Sequence, residues 1–208
     1  FNVIVTDTTA PVITLNGNAT INVVYGVGYV DEGATALDTY DGAVTATASG
    51  DTVDTTTIPG TYHINYDAVD AASNHAVTVV RTIVIAKAPL SVAPDNATKV
   101  YGTANPTFTG VVTGVLNSDV VSASYSSVAD NTSPVGDYAI VPELSGAGLA
   151  NYDAPTITNG TLSVTKANAA IVVTPYAGIY DGAPHGVTGT ATGALGEDLS
   201  SLLDLGAT

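Results

Sequence analysis

The sequence predicts an all-β protein built from tandem β-sandwich modules arranged end to end. Short runs rich in Val, Thr, Ile and Tyr alternate apolar with polar side chains, which is typical of strands that have one buried face. Clusters of Gly, Pro, Asn and Asp separate these runs and predict turns. The Lys-Ala pair at 87–88 recurs at 166–167, each time after an alternating strand, so the strands belong to a repeated unit.

The clearest strand covers Thr61–Val69. Side chains two residues apart lie on the same face of a strand, so Tyr62, Ile64 and Tyr66 share the apolar face and His63 lies on the opposite one. The same alternation in the other strands predicts the core of the first module. That core consists of Val12, Ile13, Ile21, Val23, Tyr62, Ile64, Tyr66, Val79 and Ile83.

The repeats predict the domain boundaries. Residues 7–86 and 87–165 form two full modules, 1–6 is the last strand of a preceding module, and 166–208 is an incomplete further repeat. The absence of Met leads us to expect that the chain is a piece of a longer protein. Almost no linker separates one module from the next, which favours stiff joints over flexible coil.

The composition excludes several classes of function. The chain has 4 Lys and Arg against 19 Asp and Glu, a net charge of -15, so binding to nucleic acid or to an anionic membrane surface is not expected. It has no Cys, which rules out disulfides and thiolate zinc sites. The most apolar run, Val77–Ala86, contains Arg81 and is too short to span a membrane.

No catalytic residues are predicted, and the chain is not expected to be an enzyme. Nucleophilic catalysis needs a base within hydrogen-bond reach of the nucleophile. The only imidazoles are His63, His75 and His185; one lies on a solvent face, one at a predicted hairpin tip and one in a different module. The acidic residues are mostly single Asp next to turn formers, so no facing pair of carboxylates is predicted.

Calcium is the one cofactor that the acidic sequence favours, because hard cations bind several carboxylate and carbonyl oxygens. The candidate ligands are Asp67, Asp70 and Asn74 at one predicted hairpin, with Asp31 and Glu32 from a neighbouring loop. The same residues also form turns without a metal, and both interpretations stay open. The segment Asp38 to Gly42 lacks the spacing of an EF-hand loop and is interpreted as an Asp-Gly turn.

Several motifs in the first module carry a resemblance to a known family. The motifs are Ala10-Pro-Val-Ile-Thr-Leu15, Tyr29-Val-Asp-Glu-Gly-Ala34, Asp38-Thr-Tyr-Asp-Gly42, Gly60-Thr-Tyr62 and Asp70-Ala-Ala-Ser-Asn74. With these motifs the module resembles the bacterial immunoglobulin-like repeats that are related to hyalin-repeat and PKD-type domains.

The second module carries a different set of motifs: Lys99-Val-Tyr-Gly-Thr-Ala-Asn-Pro106, Ser133-Pro-Val-Gly-Asp-Tyr138, Asn151-Tyr152 and Gly160-Thr-Leu162. On these motifs it is similar to the MBG family, the "mostly beta, glycine-rich" repeats of bacterial surface proteins. The segment Tyr180-Asp-Gly-Ala-Pro-His185 is similar to a related repeat.

These resemblances imply immunoglobulin-like, Greek-key sandwiches in a secreted or cell-surface adhesin-like protein. In such proteins the repeats act as a structural spacer, and their partners are the neighbouring repeats of the same chain. The alternative is a module that binds an extracellular glycan or protein, or one that is accessory to a secreted enzyme. The chain has no Trp and most of its Tyr residues occupy predicted core positions, which disfavours an aromatic platform for sugars and favours the spacer.

Overall fold

The computed structural model describes residues 1 and 5–206. The predicted closing strand at 1–6 falls largely on residues 2–4 and so lies outside the described residues. The described chain forms β-strands and two short 3-10 helices, which confirms the predicted all-β sandwich class. It divides into two compact units. The first contains Phe1–Leu90, Thr113–Val121 and Ser145–Pro155, and the second contains Ser91–Val112, Ser122–Leu144 and Thr156–Thr208.

The first unit contains a sandwich of two sheets. One sheet has the strand order β2-β7-β6-β5 and the other has the order β1-β3-β4. β6 pairs antiparallel with β7, and β2 pairs parallel with β7. The strands are β1 (Val12–Leu15), β2 (Thr20–Val24), β3 (Ala34–Asp38), β4 (Gly42–Val44), β5 (Thr47–Gly50), β6 (Gly60–Asp67) and β7 (Val79–Ala86).

The alternation of β6 and β7 builds the core of this sandwich. The register places Tyr62 opposite Ile83 and Tyr66 opposite Val79. Tyr66, Ile64 and Ile83 are buried, as are Ile13 and Ala36 from the facing sheet. Of the remaining predicted core residues, four are half-buried: Ile21, Val23, Tyr62 and Val79.

The prediction that Val12 belongs to the core is wrong, since its side chain is 68% exposed. Val12 and Ile13 are consecutive in β1, and consecutive side chains point to opposite faces of a strand. Only one of the two can face the core, and the pairing of β1 with β3 gives that position to Ile13, which lies opposite the buried Ala36.

The second unit contains another two-sheet arrangement, with orders β11-β12-β14-β9 and β10-β8-β13. Its core centres on Ile140, Leu162 and Ala129, against which Phe108 and Tyr138 pack. As in the first unit, an early strand pairs parallel with a late one, here β9 with β14. The strands are β8 (Ser91–Pro94), β9 (Ala97–Val100), β10 (Gly110–Thr113), β11 (Ser122–Ser126), β12 (Gly136–Ser145), β13 (Thr156–Ile157) and β14 (Gly160–Thr165).

The last two strands, β15 (Ala170–Thr174) and β16 (Thr188–Thr192), form a two-stranded antiparallel sheet in the second unit. Every residue of β15 is exposed. The two 3-10 helices are Ala147–Asn151 and Ser200–Leu202. The predicted boundaries 7–86, 87–165 and 166–208 stay a prediction.

Candidate functional site

Four aspartates converge at one end of the first sandwich. Asp7 precedes β1, Asp38 ends β3, Asp41 lies in the turn before β4, and Asp70 follows β6. Each contributes one carboxylate oxygen to a group in which all oxygens lie within 4.8 Å of one another. Strand ends and turns at the same end of the two sheets place these side chains together. We call Asp7, Asp38, Asp41 and Asp70 the aspartate cluster.

The turn between β3 and β4 fixes the carboxylate of Asp38. Its Oδ1 accepts hydrogen bonds from the main-chain N–H groups of Tyr40 at 2.7 Å and Asp41 at 3.0 Å. These bonds, the Asp41 bond first, lower the pKa of Asp38 and favour its ionised form. Gly42 completes the turn with φ at 77°, a conformation that glycine adopts without steric cost.

Asp38 is only 3% exposed, and its second oxygen, Oδ2, is buried without a hydrogen-bond partner. The Oδ2 of Asp7 is also buried and unpartnered. The Oδ1 of Asp7 accepts the main-chain N–H of Thr9 at 2.9 Å, and this bond fixes the Asp7 carboxylate. A buried carboxylate oxygen without a donor is costly, because it has lost its water and gained no replacement.

Asn74 and Ala71 hold the other two aspartates in place. Asn74 donates its main-chain N–H to Asp70 Oδ1 at 2.7 Å and its side-chain amide to Asp70 Oδ2 at 2.8 Å. The same amide reaches the main-chain oxygen of Asp7 at 3.3 Å. Ala71 donates its N–H to Asp41 Oδ2 at 2.8 Å. These bonds join the loop after β6 to the β3–β4 turn.

The structure does not bring together the five calcium ligands that the sequence suggested. Asp70 and Asn74 are adjacent, but the Asp67 carboxylate accepts the hydroxyl of Thr78. Asp31 forms an ion pair with Arg81, and the exposed Glu32 carboxylate lies against Gly17. The sequence pattern predicts only an ordinary turn at Asp38 and Asp41 and gives no signal for Asp7. The Asp-x-x-Asp-Gly spacing marks the turn, but only the packing of the two sheets shows which loops meet there.

A second polar group lies inside the first sandwich around Arg81, which is 1% exposed. Its guanidinium pairs with Asp31 and donates to Tyr66 Oη at 3.3 Å and to the main-chain oxygen of Gly33 at 3.1 Å. Nε donates to the oxygen of Asn18 at 3.2 Å. The guanidinium carbon lies 5.6 Å from the centroid of the Tyr66 ring. Arg81 lies in β7 of one sheet and bonds to Gly33, which directly precedes β3 of the other sheet, so its side chain links the two sheets.

The Arg81 network controls the ionisation of its members. Burial opposes ionisation of Asp31, but hydrogen bonds from Tyr66 and Tyr29, followed by the charge of Arg81, hold the pKa of that carboxyl below its usual value. Burial, followed by the hydrogen bond to Asp31, raises the pKa of Tyr66. The ion pair therefore persists across the neutral range.

A third feature of the first unit is a contact made by Tyr25, which directly follows β2 and is 3% exposed. Its hydroxyl donates to Asp119 Oδ1 at 3.2 Å, and its ring meets the ring of Tyr152 edge-on with centroids 5.9 Å apart. Tyr152 Oη in turn accepts the N–H of Leu116 at 2.7 Å. Sequence motifs from the second repeat therefore pack on the first within one compact unit.

Polar contacts surround this pair of tyrosines. Asn151 donates to Asp119 Oδ2 at 3.1 Å, and Asn117 donates its side-chain amide to the main-chain oxygen of Thr55 at 2.7 Å. Burial works against ionisation of Asp119, but hydrogen bonds from Asn151, Tyr152 and Tyr25 leave its pKa lowered. We call the contacts of Tyr25 and Gly26 with residues 116–119 and Tyr152, together with the Asn117–Thr55 hydrogen bond, the first clasp.

An equivalent contact occurs in the second unit after β9. Tyr101 donates its hydroxyl to Glu197 Oε1 at 2.7 Å. The hydrogen bond to Glu197 raises the pKa of Tyr101, and the same bond lowers the pKa of Glu197. We call the contacts of Tyr101 and Gly102 with residues 194–197 the second clasp.

Both clasps use the same Tyr-Gly geometry. Tyr25 donates its N–H to the oxygen of Ala86, and Tyr101 donates its N–H to the oxygen of Thr165, each at 2.9 Å. Gly26 and Gly102 have φ values of 84° and 87°. A Cβ on Gly26 would lie 2.6 Å from Leu116 Cδ1, so glycine permits the close approach of the loop.

Both repeats match known families. Residues 13–85 match the family described as bacterial surface protein, Ig-like domain. Residues 90–163 match the family described as MBG domain (YGX type). Two consecutive regions of the chain therefore match different domain families, consistent with tandem repeats of bacterial surface proteins.

These matches confirm the two resemblances predicted from motifs. The tyrosine and glycine of the second clasp lie inside the region matched by the MBG domain. Both families are surface-protein domains and not catalytic families. No curated protein matches the chain. In the part of the chain that is described, no helix has the length and apolarity needed to cross a bilayer.

Proposed function

We propose that the chain is a non-catalytic structural spacer of a secreted or cell-surface adhesin-like protein. The observation that supports this role is the repeated clasp, in which a Tyr-Gly turn holds a loop from the following repeat. A spacer must keep successive repeats in a fixed geometry, and contacts across a short joint restrict the rotation that the linker alone would allow.

The first clasp has the properties of an ordered joint. Tyr25 and Tyr152 are both nearly fully buried, and edge-to-face aromatic pairs contribute about 0.5–1.5 kcal/mol beyond their buried area. Ala88 and Leu90, in the short segment between β7 and β8, are also buried. Ala88 donates its N–H to the main-chain oxygen of Asn151 at 3.1 Å, and its own oxygen accepts the N–H of Asp153 at 2.9 Å. These two bonds leave Ala88 little backbone freedom.

Electron-electron distance measurements between two spin labels test the proposal. Because the chain has no Cys, labels can be attached at two introduced cysteines, one replacing the exposed Thr14 in β1 and one replacing the exposed Thr98 in β9. We expect a single narrow distribution of distances, since the clasp restricts the joint. A broad distribution in the unmodified background would contradict the spacer role.

Variants of the clasp identify its contribution. Tyr25→Phe combined with Asn117→Gly removes two hydrogen bonds but keeps the buried ring, and glycine tolerates the φ of 51° at position 117. We expect this variant to broaden the distribution. Tyr40→Phe is the matched control, because Tyr40 is 68% exposed and lies outside the clasp. Equal distributions in the clasp variant and the control would show that these contacts do not stiffen the joint.

A further inference from the structure

We propose that the aspartate cluster binds a calcium ion. The cluster is separate from both clasps, so this inference goes beyond the spacer role and does not depend on it.

The charge balance of the cluster is the first reason. Four carboxylates lie within 4.8 Å of one another. The ion pairs found among the described residues are Arg81 with Asp31 and His185 with Asp181, and neither involves the cluster. Like charges at this separation repel strongly where water is partly excluded. A bound cation replaces that repulsion with attraction.

The buried oxygens of Asp38 and Asp7 are the second, independent reason. Asp38 is 3% exposed, and its Oδ1 is committed to the turn while its Oδ2 has no donor. The Oδ2 of Asp7 is also buried and has no hydrogen-bond donor. Native proteins pair nearly all buried polar atoms, so two unpaired carboxylate oxygens in a single cluster indicate a missing partner. A cation satisfies both without a protein donor.

The donor set selects calcium among the common cations. All four side chains offer oxygen, which hard cations prefer, and no imidazole takes part. Magnesium usually keeps several waters and is bound through one or two carboxylates, so a group of four carboxylates suits calcium better. The exposed Asp41 leaves a side open for the waters that complete a coordination of about 6–8 oxygens.

The position of the cluster gives the ion a structural effect. Asp7 belongs to the segment that enters the first sandwich, Asp38 ends β3 in one sheet, and Asp70 lies in the loop that follows β6 of the other sheet. An ion held by all three ties the entering segment to both sheets. Calcium therefore orders the start of the module, which hydrogen exchange of residues 5–11 reports.

Isothermal titration calorimetry of the full chain with calcium, after treatment with a chelator, tests the proposal. We expect one ion per cluster and slower hydrogen exchange of residues 5–11 and 70–74 when calcium is present. Asp41→Asn should weaken binding about tenfold or more, because calcium affinity follows the number of charged ligands. Asn keeps an oxygen that accepts the N–H of Ala71, so the exposed turn should stay folded.

Asp38→Asn is the second variant, and it should also weaken binding. Asp153→Asn is the matched control, because it removes one negative charge from the same compact unit but outside the cluster. It should leave the affinity unchanged. Absence of binding to the parent chain, retention of affinity in both cluster variants, or an equal loss in the control would each overturn the proposal. The spin-label distances test the spacer role separately and need no calcium.

Discussion

Replacing Arg81 with Met tests whether the buried ion pair holds the first sandwich together. Met has a comparable unbranched stem and fills similar space, so the substitution removes mainly the guanidinium. Asp31 then loses its cation, and Tyr66 and the Gly33 oxygen lose a hydrogen-bond donor. Asp31 keeps the hydroxyls of Tyr29 and Tyr66, which cannot neutralise its charge.

The expected loss follows from the burial of this pair. Arg81 is 1% exposed and the side chain of Asp31 is 27% exposed. Removing one partner of a buried pair costs about 3–5 kcal/mol, because the remaining charge is left without compensation. We take the lower half of that range, since water reaches one side of Asp31. The free energy of unfolding of a domain is only about 5–15 kcal/mol, so the loss is a large part of the total.

Hydrogen exchange measured by mass spectrometry in increasing urea follows the two sandwiches separately, because peptides from β6 and β7 report the first one alone. Asp31→Asn and the double variant complete a double-mutant cycle. The double variant should lose less than the sum of the single losses, since neither charge is then left alone. A loss below about 1 kcal/mol for Arg81→Met, or additive losses in the cycle, would refute the role assigned to the pair.

Three further predictions concern other parts of the molecule. Gly26→Ala should lower the free energy of unfolding of the first unit by about 1 kcal/mol or more, because it places a Cβ at positive φ and against Leu116. Hydrogen exchange of β7 peptides in increasing urea measures this loss, and an unchanged urea midpoint would contradict it. The free energy of unfolding of the first unit should fall as the pH drops below about 4, because folding lowers the pKa of Asp31. The ionised carboxylate contributes its full stabilisation above the pKa of the unfolded chain, and this contribution is lost as the pH falls through the pKa of the folded chain. Equal free energies of unfolding at neutral and acid pH would disprove this. Limited proteolysis should cut first in the segment 175–187, which joins the two strands of the two-stranded sheet. The side chains of Ile179 and Tyr180 in this segment are 91% and 93% exposed. Earlier cleavage in β6 or β7 would count against this prediction.

Much of the fold follows directly from the sequence. Alternation along Thr61–Val69 correctly placed Ile64 and Tyr66 in the core, because the period of a strand is a local property. Recurring motifs predicted two different surface repeats, and both are confirmed. Alternation cannot choose between adjacent apolar residues, and for this reason Val12 was wrongly assigned to the core.

Functional arrangements depended on which separate segments meet. The sequence shows Arg81 only as a charged residue within a strand. In the structure Arg81 lies opposite Ile64 in the register and pairs with Asp31, which lies in a loop distant in sequence. The aspartate cluster draws on residues from position 7 to position 70, and the sequence alone does not show that Asp31 pairs with Arg81 or that Asp67 accepts the hydroxyl of Thr78. The sequence by itself determined the strands, the turns and the family of each repeat, since these depend on local periodicity and short motifs. Only the tertiary structure decided which carboxylates meet a cation, a hydroxyl or one another, because contacts between loops are set by the pairing and packing of sheets.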